Sequence, residues 1–217
     1  MSRPSQSSWR FPVFLLATFA VIWAALAIHP VSRSDWWLEN ILVFIAIPSL
    51  ILTRQQLHFS NPAYACFFVF LCLHAIGAHY TYSEVPYDES VRALTGHTLN
   101  DMFGFERNHY DRLVHFMYGA LIAVPSVELF IAYAPPKNLW RVLMPIFFVM
   151  SHSVAYEMVE WAAAALAAPE LGQAYLGTQG DVWDAQKDMG LATLGAICTM
   201  ILVRCLPWWR TLFKRKK

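Results

Sequence analysis

Charge is what this chain has least of. Only 14% of its 217 residues are Asp, Glu, Lys or Arg, against about 25% in a soluble domain. Too little charge remains to cover the surface of an ordinary water-soluble enzyme. The sixteen basic and fifteen acidic residues nearly cancel, giving a formal charge of +1, which excludes a basic nucleic-acid binder. Cysteine is also scarce. Cys66, Cys72, Cys198 and Cys205 form no C-x-x-C pair and fall within apolar runs, so neither a disulfide framework nor a redox motif is indicated. There is no internal repeat, no low-complexity stretch and no linker, and residues 1–217 read as a single integral membrane domain. No H-x-x-x-H, H-E-x-x-H or acid-rich Gly loop is present.

What is abundant is apolar: 57% of the residues are hydrophobic, and they come in membrane-length runs. These are Phe11–Ile28, Trp36–Leu52, Ala63–Tyr82, Leu113–Tyr133, Leu139–Ala168 and Val182–Leu206. A span needs about 20 mostly apolar residues, with its backbone polar groups satisfied inside the segment, so the runs predict helices. The fold expected is an all-α polytopic bundle of six transmembrane helices. With the N-terminus inside, eleven basic residues fall on the inner side and five on the outer, a positive-inside bias that puts both termini in the cytoplasm. Fourteen of the fifteen acids fall in outer loops or outer halves of helices, and Glu128 is the exception. Arg3, Arg10, the apolar run and Ala25-Leu26-Ala27 also have the outline of a cleavable signal. The run of 18 residues is longer than the usual signal core, so an uncleaved first helix is favoured. The basic tail Lys214–Lys217 reads as an anchor on anionic lipid.

Ionisable residues at membrane depth are costly and mark cavities, proton paths or catalytic sites. Asp111 and His115 stand four apart at the start of the fourth run, with Tyr118 extending the same face. A carboxylate one turn from an imidazole can fix its tautomer. It can equally be an acidic first turn beside a satisfied His. His152, Tyr156 and Glu160 climb one face of the fifth run in steps of four, with Glu157 beside Glu160. The alternative to a site there is an aqueous vestibule that wets both Glu residues. Asp181, Asp184 and Asp188 form a stripe at the start of the sixth run. The helix dipole accounts for Asp181 and in part for Asp184, but Asp188 needs a partner: His115, Arg112 or a metal. His74 and His79 rank lower, because they stand too far apart around their helix to face one site. Topology places His79, Asp111, His115, Glu157, Glu160, Asp184 and Asp188 in the outer half, with His152 approaching from mid-membrane.

This yields a catalytic set of Asp111, His115, Tyr156, Glu157, Glu160, Asp184 and Asp188. It also yields a metal set of His115, His152, Glu160 and Asp188. Two His with carboxylates suit a divalent ion such as Zn, Mn or Fe, an inference from composition and not from a motif. The outer loop Ser83–Tyr110 is long enough to carry its own structure. Val91, Leu94, Thr98, Met102 and Phe105 recur near helical spacing there, with Asp88 as N-cap. It reads either as a helix lying on the membrane or as a lid. The Gly172–Gly180 loop reads as an ordinary turn or as a phosphate-binding stretch of N–H groups.

Tyr110-Asp111-Arg112-x-x-His115-Phe116, Tyr156-Glu157-x-x-Glu160-Trp161 and the long stretch from Leu176 to Met189 resemble the YjdF-like family of bacterial inner-membrane proteins. The likeness spans most of the chain. It implies a polytopic protein of the bacterial inner (cytoplasmic) membrane and brings no substrate. A fainter likeness covers the last three helices. Asp111-Arg112-x-x-His115-Phe116, Asp184 and Gly195-Ala196 resemble VanZ-like membrane proteins, but Asp188 stands where those carry Asn. Three functions are consistent with these residues. One is a membrane hydrolase or transferase acting on a lipid or lipid-linked substrate, another is a proton-coupled transporter or accessory protein, and the third is a purely structural role. The enzyme is favoured, because the inner half offers Glu128 alone as an acid. The partners expected are the bilayer and a lipid-linked substrate, with no nucleic acid.

Overall fold

The structure, a computed structural model, describes residues 9–166 and 179–206. The end of the fifth run beyond Leu166, most of the Gly172–Gly180 loop and the Lys214–Lys217 tail lie outside the described residues. What is described is all-helical: α1 (Arg10–Leu26), α2 (Arg33–Thr53), α3 (Asn61–His79), α4 (Tyr87–Thr95), α5 (Leu99–Phe103), α6 (Tyr110–Tyr133), α7 (Trp140–Leu166) and α8 (Asp184–Cys205). Five of these, α2, α3, α6, α7 and α8, are long and apolar enough to cross a membrane. The sixth expected span is α1, which is equally apolar but has 17 residues. At 1.5 Å per residue that is about 26 Å, just under a hydrocarbon core of about 30 Å.

The tightest seam is between α6 and α8, and small residues make it. A side chain at Gly119 would strike the carbonyl of Ala192, and one at Gly195 would strike the carbonyl of Phe116. Thr199 Oγ1 crosses the same seam to the Ala120 carbonyl at 2.8 Å. Close backbone approach of this kind replaces the hydrophobic effect as the source of helix association in lipid. Below the seam, Ala123, Val127, Val149, Ala196 and Met200 of α6, α7 and α8 form a packed layer. On its other flank α6 meets α3 through Phe70, Val114 and Ile122. Phe19 of α1 and Val43 of α2 pack on Leu71 and Ala75 of α3. The outward faces keep large apolar side chains exposed, among them Phe14, Ile45, Val159 and Leu202.

One end of the bundle gathers the chain's polar groups. There the end of α1 meets the end of α3 (His79 Nδ1 to the Leu26 carbonyl, 2.7 Å), and Val31, just before α2, donates to the His79 carbonyl at 2.9 Å. Tyr110 at the start of α6 donates to the Leu73 carbonyl at 2.9 Å. At the opposite end Glu128, the one acid there among the described residues, receives the backbone N–H of Ser60 at 2.8 Å and that residue's hydroxyl.

The long loop departs from its expected form in detail. It contains two short helices, not one. Gly96 (φ 82°) ends α4 in the left-handed conformation, and Gly104 (φ 66°) ends α5 the same way. Asp88 is not the N-cap of α4, a position held by Pro86. Its Oδ1 accepts instead from the N–H groups of Leu99 and Asn100, at 2.8 and 3.3 Å, so it ties the start of α5 back to α4.

Candidate functional site

Four helices supply the polar end. From α6, Asp111 and His115 face the bundle interior one turn apart, with Asp111 Oδ1 3.5 Å from His115 Nε2. From α7, Glu157 Oε1 comes to 3.7 Å of the same nitrogen. From α8, Asp188 is 2% exposed, and its Oδ1 has no hydrogen-bond partner among the described residues. Asp111, His115 and Asp188 each offer a ligand atom within 4.8 Å of the others. The i, i+4 spacing on α6 thus puts the pair on one face, and the α6–α8 seam brings Asp188 opposite it.

Beside this cluster runs an ion-pair network. Arg112 reaches Asp181 at 2.6 Å, Asp184 at 3.0 Å and Asp188 at 3.7 Å. Arg107 joins Asp184 at 2.7 Å, and Lys187 joins Asp181 at 2.6 Å. Lys187 and Arg112 hold the Asp181 carboxyl well below the usual carboxylate range. Asp184, a candidate for catalysis by sequence, is gripped by two guanidinium groups and serves here as the node joining the loop, α6 and α8.

α2 adds a group that the sequence did not single out. Glu39 is 6% exposed and accepts from the Tyr156 hydroxyl at 3.1 Å. Its backbone carbonyl takes a bond from His74 Nε2 at 3.0 Å. That nitrogen must carry the proton, so His74 Nδ1 accepts from the Tyr82 hydroxyl. Burial pushes the Tyr82 phenol well above its usual range, which keeps it a donor. Tyr82 reaches His74 because the chain turns back after α3 through left-handed Thr81 and Tyr82 (φ 53° and 56°). Its ring then lies where a side chain at residue 77 would be, 2.5 Å from that Cβ position, and Gly77 leaves the room. His74 is a fully satisfied packing residue, as its low rank by sequence anticipated, and His79 is bonded to a backbone carbonyl.

The metal set expected from sequence is rearranged. His152 stands on the exposed side of α7 with Nδ1 on the Phe148 carbonyl, 2.9 Å away, one turn back on its own helix. It is not one of the three groups that converge, and neither is Glu160; Asp111 takes their place. Helical steps of four aligned His152 with Tyr156 and Glu160, but the cluster faces the next stripe, where Glu157 sits.

A cavity of about 430 Å³ opens beside these groups, between α2 and α7. Its walls are apolar where Leu42, Ile45 and Ala46 of α2 face Ala155, Val159 and Ala163 of α7. Its polar end holds Glu39, Asp111, His115, Glu157, Glu160 and Asp188. Thr81 and Tyr82 line it, but no residue of α4 or α5 does, so the two short loop helices do not cover it.

A bundle with five helices long and apolar enough to cross a membrane among its described residues, and a polar site at one end, has the build of a polytopic integral membrane protein. The family described as predicted membrane protein (DUF2238) matches residues 11–207, and the chain belongs to it. The inner membrane protein YjdF of Escherichia coli (strain K12) is 30% identical over 190 residues, which is 87% of this chain and 86% of that protein. This chain is a YjdF-like, multi-pass protein of the bacterial inner membrane. No solved structure matches it.

Proposed function

We propose that the protein is a membrane-embedded hydrolase or transferase that acts on a lipid or lipid-linked substrate from the outer face. The observation that carries this is the cavity. An apolar slot between α2 and α7 leads to a His and carboxylates at its polar end, which matches the two halves of a lipid. The slot walls continue into the exposed apolar faces of α2 and α7 at Ile41, Ile45 and Val159, so a chain can enter sideways from the bilayer.

In this reading α1 is a sixth span, the whole chain is one domain and both termini are cytoplasmic. The eleven-to-five division of basic residues supports the orientation. The bond from Trp23 to buried Asn40 supports α1 as a retained part of the bundle. Glu157 takes the proton from an attacking water or acceptor hydroxyl and returns it to the leaving oxygen, with Asp111 and His115 holding the polar end beside it. Glu39 and Tyr156 orient the substrate at the slot, and Glu160 lies on the path between them and Glu157.

Transport is the weaker reading for a physical reason. A relay would have to continue past the α6–α8 seam, where Gly119 and Gly195 bring the backbones together above a layer of Val127, Val149 and Met200. Beyond that layer the described carboxylate is Glu128, already held by Ser60.

The test is turnover in vesicles of total inner-membrane phospholipid. Wild-type protein produces a new lipid species or a released headgroup by mass spectrometry, and His115→Ala does not. Unchanged lipids with folded wild type would refute the reading.

A further inference from the structure

Among the described residues, six carboxylates line the cavity, from Glu39, Asp111, Glu157, Glu160, Asp184 and Asp188, and no Lys or Arg does. Arg107 and Arg112 lie behind it and spend most of their bonding on Asp181 and Asp184. The inner carboxylates are left with a deficit of positive charge in a place where water and counter-ions are scarce. Buried charge that is only partly paired is disfavoured, and a cation drawn into the cavity would relieve it.

The geometry points to a single divalent transition-metal ion held by Asp111, His115 and Asp188. Three observations beyond the acidity single out these residues. Their ligand atoms already lie within 4.8 Å of one another. Asp188 is almost wholly buried and its Oδ1 has no hydrogen-bond partner among the described residues, Arg112 Nε standing off at 3.7 Å. Glu157 Oε1, also buried and without a hydrogen-bond partner, flanks His115 at 3.7 Å as a further oxygen near the site. An ion with bonds of about 2.0–2.2 Å needs the ligands to close by roughly an ångström, which side-chain rotation on the two packed helices α6 and α8 supplies. One imidazole and two carboxylates favour Mn, Fe or Zn over a soft ion. Three protein ligands leave coordination positions open toward the cavity, the arrangement of a reactive site and not of a structural one. Binding of the ion stands apart from lipid turnover, since the three residues would hold it whether or not a substrate is converted.

The experiment uses full-length protein in detergent, stripped with EDTA and titrated with Mn²⁺, free Mn²⁺ being read by electron paramagnetic resonance. Zn²⁺ is then titrated by calorimetry. The result expected is one ion per chain. Asp188→Asn and His115→Ala weaken binding more than tenfold, and Glu89→Gln, on the exposed face of α4, leaves it unchanged. Each variant is checked for a single monodisperse elution peak. Wild type that takes up neither ion would overturn the inference and leave protons as the neutralising charge. So would Asp188→Asn and His115→Ala variants that bind as tightly as wild type.

Discussion

The two ends of the bundle treat a carboxylate in opposite ways. At one end Glu128 stands alone, and Ser60 gives it both a backbone N–H and a hydroxyl at the start of α3. Its charge sits at a helix N-terminus, where the dipole favours it. At the other end carboxylates are crowded together. Asp188 and Glu157 each keep an oxygen without a hydrogen-bond partner among the described residues, and Asp111 shares His115 with Glu157. The same residue type is structural where donors are matched to it and reactive where they are not. Proteins tolerate such local imbalance mainly where function needs it.

Removing a cation from the crowded end has the largest effect expected. Arg112→Ala takes the guanidinium from buried Asp188 and leaves Asp184 with Arg107, and breaking a buried ion pair costs about 3–5 kcal/mol. Thermal unfolding in detergent should show a collapse of the midpoint, with little or no folded protein recovered. At the quiet end, Glu128→Ala leaves the Ser60 donors without an acceptor and costs about 1–2 kcal/mol, while lipid turnover stays at the wild-type level. Glu157→Gln has the opposite sign. It removes one of the negative charges crowded around His115 while keeping an acceptor oxygen, so it stabilises the fold by about 1 kcal/mol while turnover falls, the usual exchange between stability and activity. A Glu157→Gln protein that is both less stable and fully active would erase the distinction between the two ends.

The smallest effect concerns pH. Lys187 and Arg112 depress the Asp181 pKa below its ordinary value of 3.8. A depressed carboxylate contributes stability that is fully present above the unfolded value and lost as pH falls toward the folded one. The stability gap between wild type and Asp181→Asn should therefore stay constant from about pH 7 to 5 and narrow only below about pH 4. A gap that already closes near neutral pH would mean that the Lys187–Asp181–Arg112 contacts do not form.

Much of the polar end was legible because it rests on spacing within single helices. The i, i+4 step from Asp111 to His115 and the depth of Asp188 in α8 follow from periodicity, and the need of Asp188 for a partner named both Arg112 and His115. What was not legible depends on how helices rotate against one another. His152 shares a stripe with Tyr156 and Glu160, yet the stripe that meets α6 is that of Glu157. Glu39 looked like one more acid near the start of an apolar run, and only the packing of α2 beside α3 brings it to Tyr156. Arg107 lies in a loop whose path no periodicity describes. Gly119 and Gly195 carried no mark in the sequence that they face each other's helix. Hydropathy alone could not show that α1 is shorter than its neighbours.

The claim on which the rest depends is that a lipid enters between α2 and α7 and reaches the carboxylates. Native mass spectrometry of the detergent-purified protein addresses it directly. Wild type should retain one phospholipid per chain. Ala46→Trp, which fills the slot, should lose it, and Glu157→Gln, which leaves the slot open, should keep it. Wild type free of lipid, or Ala46→Trp that retains as much as wild type, would contradict the claim.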